Sequence, residues 1–344
     1  MNSCTKSKFI DAMYYSNKLD ILRDIFGSEN IKVELECLTV NDKSYPIIDD
    51  VIILLDQAQY PESLLKRIEA GRSHIPISSN EFAEDIQFTF GVEWQKFSEI
   101  MPEHEEEFAQ YFDLINLSDL KNKRICDLGC GIGRWGYFLK NQCKELILVD
   151  FSEAIFTARN NLKDDENILY FMGDLRRLPF RDDFVDFLFC IGVLHHLPCS
   201  ALEEVRSLKK YTSQILIYLY YALDNRPFYF RVLFMFVTKL RMRTASVRNS
   251  HFRNLFSWAG VLFSYYPFII LGSILRPLGR SHLIPIYESY HGKTLERIRQ
   301  DVYDRFFTRI EQRFTKKDIM TLKDTFSNVI VSNQLPYWHF LLKK

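Results

Sequence analysis

The chain is expected to fold as an α/β protein built on a mostly parallel sheet, and three features of its 344 residues predict this. The run Arg124-Ile125-Cys126-Asp127-Leu128-Gly129-Cys130-Gly131-Ile132-Gly133 is a short apolar strand that ends in an acid and opens into three alternating glycines. A second apolar run, Glu145-Leu146-Ile147-Leu148-Val149-Asp150, also ends in a carboxylate, at a spacing that fits one strand–helix–strand unit. Further strand-like runs follow at 168–171, 184–190 and 214–221.

These elements carry residues suited to a nucleotide-like ligand. A strand ending in a glycine-rich turn lets the backbone approach a ligand closely, and the helix after it presents N–H groups. Alone, Gly-x-Gly-x-Gly fits an ordinary loop equally well; its surroundings strengthen it. Asp150 can accept hydrogen bonds from two ribose hydroxyls, the plain alternative being a solvated Asp at a strand end. The third run leads to Gly173-Asp174-Leu175, where a carboxylate can meet the exocyclic amine of an adenine. The fourth leads to Gly192-Val193-Leu194-His195-His196-Leu197-Pro198.

In that order the motifs resemble those of class I S-adenosylmethionine-dependent methyltransferases, in the branch that includes quinone-biosynthesis C-methyltransferases, over roughly residues 120–220. The resemblance implies a Rossmann-like seven-stranded sheet, its last strand antiparallel, and S-adenosyl-L-methionine as cofactor. It implies that Gly129, Gly131 and Gly133 wrap the methionine part, Asp127 faces the amino group, Asp150 holds the ribose, and Asp174 with Leu175 flanks the adenine. Cys130, Phe151, Gly173 and Ile191 complete the expected cofactor-binding set. A nicotinamide dehydrogenase is disfavoured because it normally spaces its glycines as Gly-x-Gly-x-x-Gly and lacks the His-His-Leu-Pro motif.

Composition, at 47% hydrophobic and 26% charged, is that of a globular chain with one large core and room for a second small unit. A formal net charge of zero gives no global argument for nucleic-acid binding. Seven cysteines without a Cys-x-x-Cys pair read as reduced thiols of a cytoplasmic protein. No apolar segment follows the first lysines, which argues against a cleaved secretion signal.

Five regions are expected. Residues 1–75 form a small N-terminal β unit, with strand patterns over 31–37 and 44–55 and a turn near 41–43. Its tail resembles the end of a zinc ribbon, but only Cys37 lies nearby and tetrahedral zinc needs four ligands, so no metal is expected. Residues 76–120 are a helical lid or linker: 88–97, with Trp94, resembles a segment that precedes the cofactor domain in sugar- and natural-product-associated methyltransferases. A helix packed on the sheet is the equal alternative, and Glu103-His104-Glu105-Glu106-Glu107 reads as a solvated helix face. Residues 121–221 are the cofactor-binding core. Residues 222–314 are a helical insertion after the fifth strand, and 315–344 a last helix, opened by a Thr315–Asp318 capping box, with a closing hairpin.

The insertion holds nine Lys or Arg and no Asp or Glu between 225 and 287, around an uncharged stretch at 254–275. Its length permits a membrane span; Pro267, the flanking arginines and the late strands oppose one. Interfacial insertion or a lipid-facing groove over 225–280 is expected, a buried cap with basic flanks being the alternative. The expected reaction is methyl transfer to a small-molecule, sugar or lipid-linked acceptor, on oxygen, with His195 or His196 as base. Trp94, Tyr220, His291, Asp304 and Arg305 are the expected substrate residues, a structural ion pair around Asp304 and Arg305 being the alternative. An inactive cofactor-binding partner subunit and a membrane-peripheral scaffold are the rivals. RNA ranks below them, because the basic residues are interleaved with apolar ones, and no nucleic acid is expected as partner. Localisation is expected to be cytoplasmic, with membrane-peripheral attachment open.

Overall fold

The computed structural model describes residues 14–34, 36–69 and 96–344. After helix α1 (Leu19–Phe26), strands β1 (Ile31–Glu34), β2 (Cys37–Val40), β3 (Lys43–Ile48) and β4 (Val51–Ile53) form an antiparallel meander. Asn41, Asp49 and Asp50 take positive φ at its turns, where short polar side chains tolerate the left-handed region. The meander does not stand apart from the rest: β4 pairs in parallel with a central strand.

That centre comprises β5 (Arg124–Leu128), β6 (Glu145–Asp150), β7 (Ile168–Met172), β8 (Phe187–Ile191), β9 (Gln214–Tyr218), β10 (Asn328–Val331) and β11 (His339–Lys343). The whole sheet runs β1-β2-β3-β4-β7-β6-β5-β8-β9-β11-β10. Its last seven positions are the expected Rossmann-like sheet, with β11 antiparallel to both neighbours. Strands β7 and β8 bury all five of their side chains, as parallel strands covered on both faces must. One covering layer includes α1, α5 (Ala201–Ser207) and α10 (Lys316–Met320), through Leu22, Val205 and Ile319. The other includes α2 (Glu103–Tyr111), α3 (Arg134–Leu139) and α4 (Ala154–Asn161), through Phe108, Leu139 and Ala158. The Thr315–Asp318 capping box forms as read. The segment 88–95, with Trp94, lies outside the described residues.

The insertion is built from α6 (Phe228–Thr244), α7 (Ser250–Gly260), α8 (Tyr266–Leu275) and α9 (Leu295–Phe307), with Asn249 and Thr294 capping α7 and α9. A π turn at Val261–Tyr265 joins α7 to α8. Pro267, which lacks an N–H and crowds the preceding turn, accounts for that widening. Val261 and Tyr265 pack on Ile298, Val302 and Phe306 of α9, and Gly260 lets Val302 approach: a Cβ there would lie 2.7 Å from it. The other side of these helices is open, with Phe228, Phe236, Leu255 and Phe263 exposed. The continuous helix Ser250–Leu278 is long and apolar enough to cross a membrane by length and composition.

Candidate active site

A cavity of about 630 Å³ lies at the C-terminal edge of the central strands, roofed by the insertion. Its floor is the glycine turn. Gly129, at φ 79°, faces Val193 so closely that a Cβ would lie 2.3 Å from Cγ2; only glycine fits. The Gly131 N–H donates to Asp150 Oδ2 at 2.8 Å, and Ser152 donates to Oδ1 from its N–H (2.8 Å) and its hydroxyl (2.7 Å). Burial raises the Asp150 carboxyl above its ordinary range despite these bonds. Asp174 accepts from the Arg176 backbone (3.0 Å) and guanidinium (2.7 Å); burial opposes its ionisation, but Arg176 prevails and holds it below the ordinary range.

Of the expected cofactor set, Gly129, Cys130, Gly131, Asp150, Phe151, Gly173, Asp174, Leu175 and Ile191 line the cavity. Gly133 and Asp127 stand behind it. Gly133 caps α3 at φ 77°. Asp127 is 1% exposed under the turn; among the described residues its two oxygens have no hydrogen-bond partner, and burial followed by the nearby Asp150 charge pushes its carboxyl well up. The glycine cradle and the paired strand-end carboxylates fit a nucleoside-bearing cofactor.

The two histidines separate by burial. His195 is fully buried behind Tyr220, with ring centroids 3.8 Å apart, and burial holds its pKa well below the ordinary value. His196 reaches the cavity, and its Nδ1 lies 2.8 Å from the Ile310 carbonyl. That carbonyl only accepts, so a hydrogen bond between them is donated by the ring Nδ1–H. Tyr220, His291, Asp304 and Arg305, from the expected substrate set, also line the cavity. Tyr220 donates to Asp304 Oδ2 at 2.8 Å.

Several wall residues were not read from the sequence. The 103–107 run is not a wholly solvated face: His104 and Glu107 are buried. Arg297 of α9 forks onto Glu107 at 2.9 and 3.1 Å, and Lys293 joins them. Burial opposes charge on Glu107, but Arg297, Arg134 and Lys293 hold its pKa far below the usual carboxylate value. Arg134 had a local signal, directly after Gly133; Glu107 and Arg297, far apart in the chain, had none.

Residues 125–211 match the family described as a methyltransferase domain. The tRNA U34 carboxymethyltransferase of Campylobacter hominis is 29% identical over 180 residues, 51% of this chain and 59% of that protein. Its counterpart from Nautilia profundicola is 24% identical over 188 residues, 52% and 56% of the two chains. The chain thus spans less than two thirds of these relatives' length. Among solved structures, a Haemonchus contortus phosphoethanolamine N-methyltransferase in complex with phosphoethanolamine and S-adenosylhomocysteine is 21% identical, covering 38% of this chain and 31% of that one, with a TM-score of 0.33.

The relatives' names overturn two expectations. The acceptor was expected to be a small molecule, sugar or lipid-linked compound methylated on oxygen, with an inactive subunit or a scaffold as alternatives; these relatives carry transferase names with tRNA as the substrate. The expected partners, a lipid-linked acceptor and a membrane surface through 225–280 without nucleic acid, fall with it. The physical reason lies in the basic stretch between 225 and 287: its arginines suit RNA phosphates as well as lipid phosphates, and its interleaved rings can stack on bases as well as meet lipid.

Proposed function

We propose that this chain, whose residues 125–211 match a family described as a methyltransferase domain, is a class I S-adenosylmethionine-dependent enzyme that alkylates a nucleotide of a tRNA held in the roofed cavity. The cavity carries this reading: one continuous space joins Asp150, His196 and Arg305. Its roof presents Arg231, Lys239, Arg243, Arg248, Arg276 and Arg280 as exposed cations, with no acid between 225 and 287. Cations that track phosphates beside exposed rings such as Phe228, Phe236 and Phe252 suit single-stranded RNA. The names of the curated relatives support the same acceptor class. The finer likeness to the quinone-biosynthesis branch concerns 127–133, 150, 173–174 and 192–198, and supports the cofactor half.

When bound, S-adenosylmethionine supplies an electrophilic carbon on its sulfonium. Asp150 accepts from the ribose hydroxyls with the lone pairs that Gly131 and Ser152 leave. Asp174 and Leu175 border the adenine, and the glycine turn admits the methionine part. His196, which lines the cavity, would take a proton from an acceptor that carries one, while the insertion would exclude water and align acceptor with cofactor.

The test is incubation of purified protein with radiolabelled S-adenosylmethionine and bulk tRNA. Label should enter the RNA, and the mass of the modified nucleoside reads the group moved. Asp150→Ala should weaken cofactor binding by about 100-fold, since two or more hydrogen bonds to a charged group are lost. Tight cofactor binding with no label in RNA would sink the proposal.

A further inference from the structure

We propose that Arg305 is the centre of a phosphate subsite inside the cavity, which holds the backbone of the acceptor nucleotide so that its base alone reaches His196. This rests on the RNA reading above and names how that acceptor is held. Arg305 projects from α9 into the cavity wall, and among the described residues no hydrogen bond or ion pair ends on it.

The carboxylates nearest it make their short contacts with other groups. Glu311, almost wholly buried, serves two other guanidinia: Arg313 at 2.7 Å and Arg241 at 3.5 Å. Asp304 is committed to the Tyr220 hydroxyl at 2.8 Å and the Thr308 hydroxyl at 3.0 Å. Asp304 keeps its negative charge through these neutral hydroxyl bonds, so Arg241, Arg305 and Arg313 stand against two carboxylates, Asp304 and Glu311, which make their short contacts with groups other than Arg305. Arginine cannot shed its proton, so an enclosed surplus of this kind calls for an anion.

The position assigns the anion to the acceptor. Other cations of the cavity wall are engaged: Lys293 and Arg297 with Glu107, and Arg297 also with Asp301. Arg305 lines the same cavity as Tyr220, whose ring centroid is 5.4 Å from that of His196. The hydroxyl-bearing rings of Tyr265 and Tyr290, 5.0 Å apart, border it. A nucleobase is neutral, so the anion an RNA brings here is its phosphodiester, and guanidinium matches phosphate in two-point geometry. Base recognition is left to the aromatic wall, where unstacked bases lie against ring faces.

The test is calorimetry on protein saturated with S-adenosylhomocysteine, titrated with uridine, uridine 5′-monophosphate, uridine 3′-monophosphate and inorganic phosphate. At least one monophosphate should bind 10-fold or more tightly than uridine. Arg305→Gln should erase that advantage while leaving uridine and S-adenosylhomocysteine affinities within twofold; Arg305→Lys, which keeps the charge, should restore part of it and controls for folding. An advantage that survives Arg305→Gln overturns the subsite and leaves the RNA reading standing. A loss of S-adenosylhomocysteine affinity in Arg305→Gln equal to the loss of monophosphate affinity overturns it too, because Arg305 then serves the cofactor. If inorganic phosphate binds through Arg305 while uridine and both monophosphates fail to bind, the anion subsite is supported and the RNA reading falls.

Discussion

Strand β7 and helix α6 are both rich in large apolar side chains, yet the fold uses them in opposite ways. β7 exposes none of its five residues, whereas α6 buries three of seventeen, two of which are Arg241 and Thr244. Between β6 and β4, with helices over both faces, β7 has its composition set by the interior. The side chains of α6 instead cover the cavity on one side and remain open on the other. Similar hydropathy therefore reports core in one region and working surface in the other.

The sharpest way to break this comparison is Gly129→Ala in the sheet half. A Cβ 2.3 Å from Val193 at φ 79° should displace the turn and abolish cofactor binding, a loss on the order of 3 kcal/mol or more, read by calorimetry with S-adenosylhomocysteine. Glu107→Gln comes next, because it leaves Arg297 and Lys293 underpaired: about 3 kcal/mol lost at neutral pH, read by denaturant unfolding. The Glu107 pKa is depressed in the fold, so its contribution is present above the ordinary value of 4.5 and is lost as pH falls below that. The gap between wild type and Glu107→Gln should therefore narrow in acid. Val261→Ala, at a fully buried position, should cost about 2 kcal/mol. Phe263→Ala, at a side chain 81% exposed, should change stability by less than about 0.5 kcal/mol. Equal costs for the last two, read from the same unfolding curves, would show that the open face is covered in solution.

The half of the site that was legible is the half whose residues are close in sequence. Gly129, Gly131, Asp150 and Gly173-Asp174 sit at ends of strands that announce themselves as apolar runs, and each lines the cavity. Asp127 and His195 stood in the right motifs, but one lies under its turn and the other behind Tyr220, and burial depth has no local signature. Glu107 looked like solvent-facing charge because its partner Arg297 is 190 residues away. The join between β4 and β7 was hidden for the same reason: the β pattern of 31–56 was readable, whereas its parallel neighbour was not.

The position of β11 between β9 and β10 has a temporal side. During synthesis β9 emerges with one edge bare, and the strand that covers it, pairing His339 with Tyr218, arrives only after about 120 more residues. Late in that interval an apolar strand edge and the open helices of the insertion are exposed together. Ribosome-bound intermediates halted before residue 339 should therefore be the aggregation-prone species of this protein, and the ones that engage chaperones.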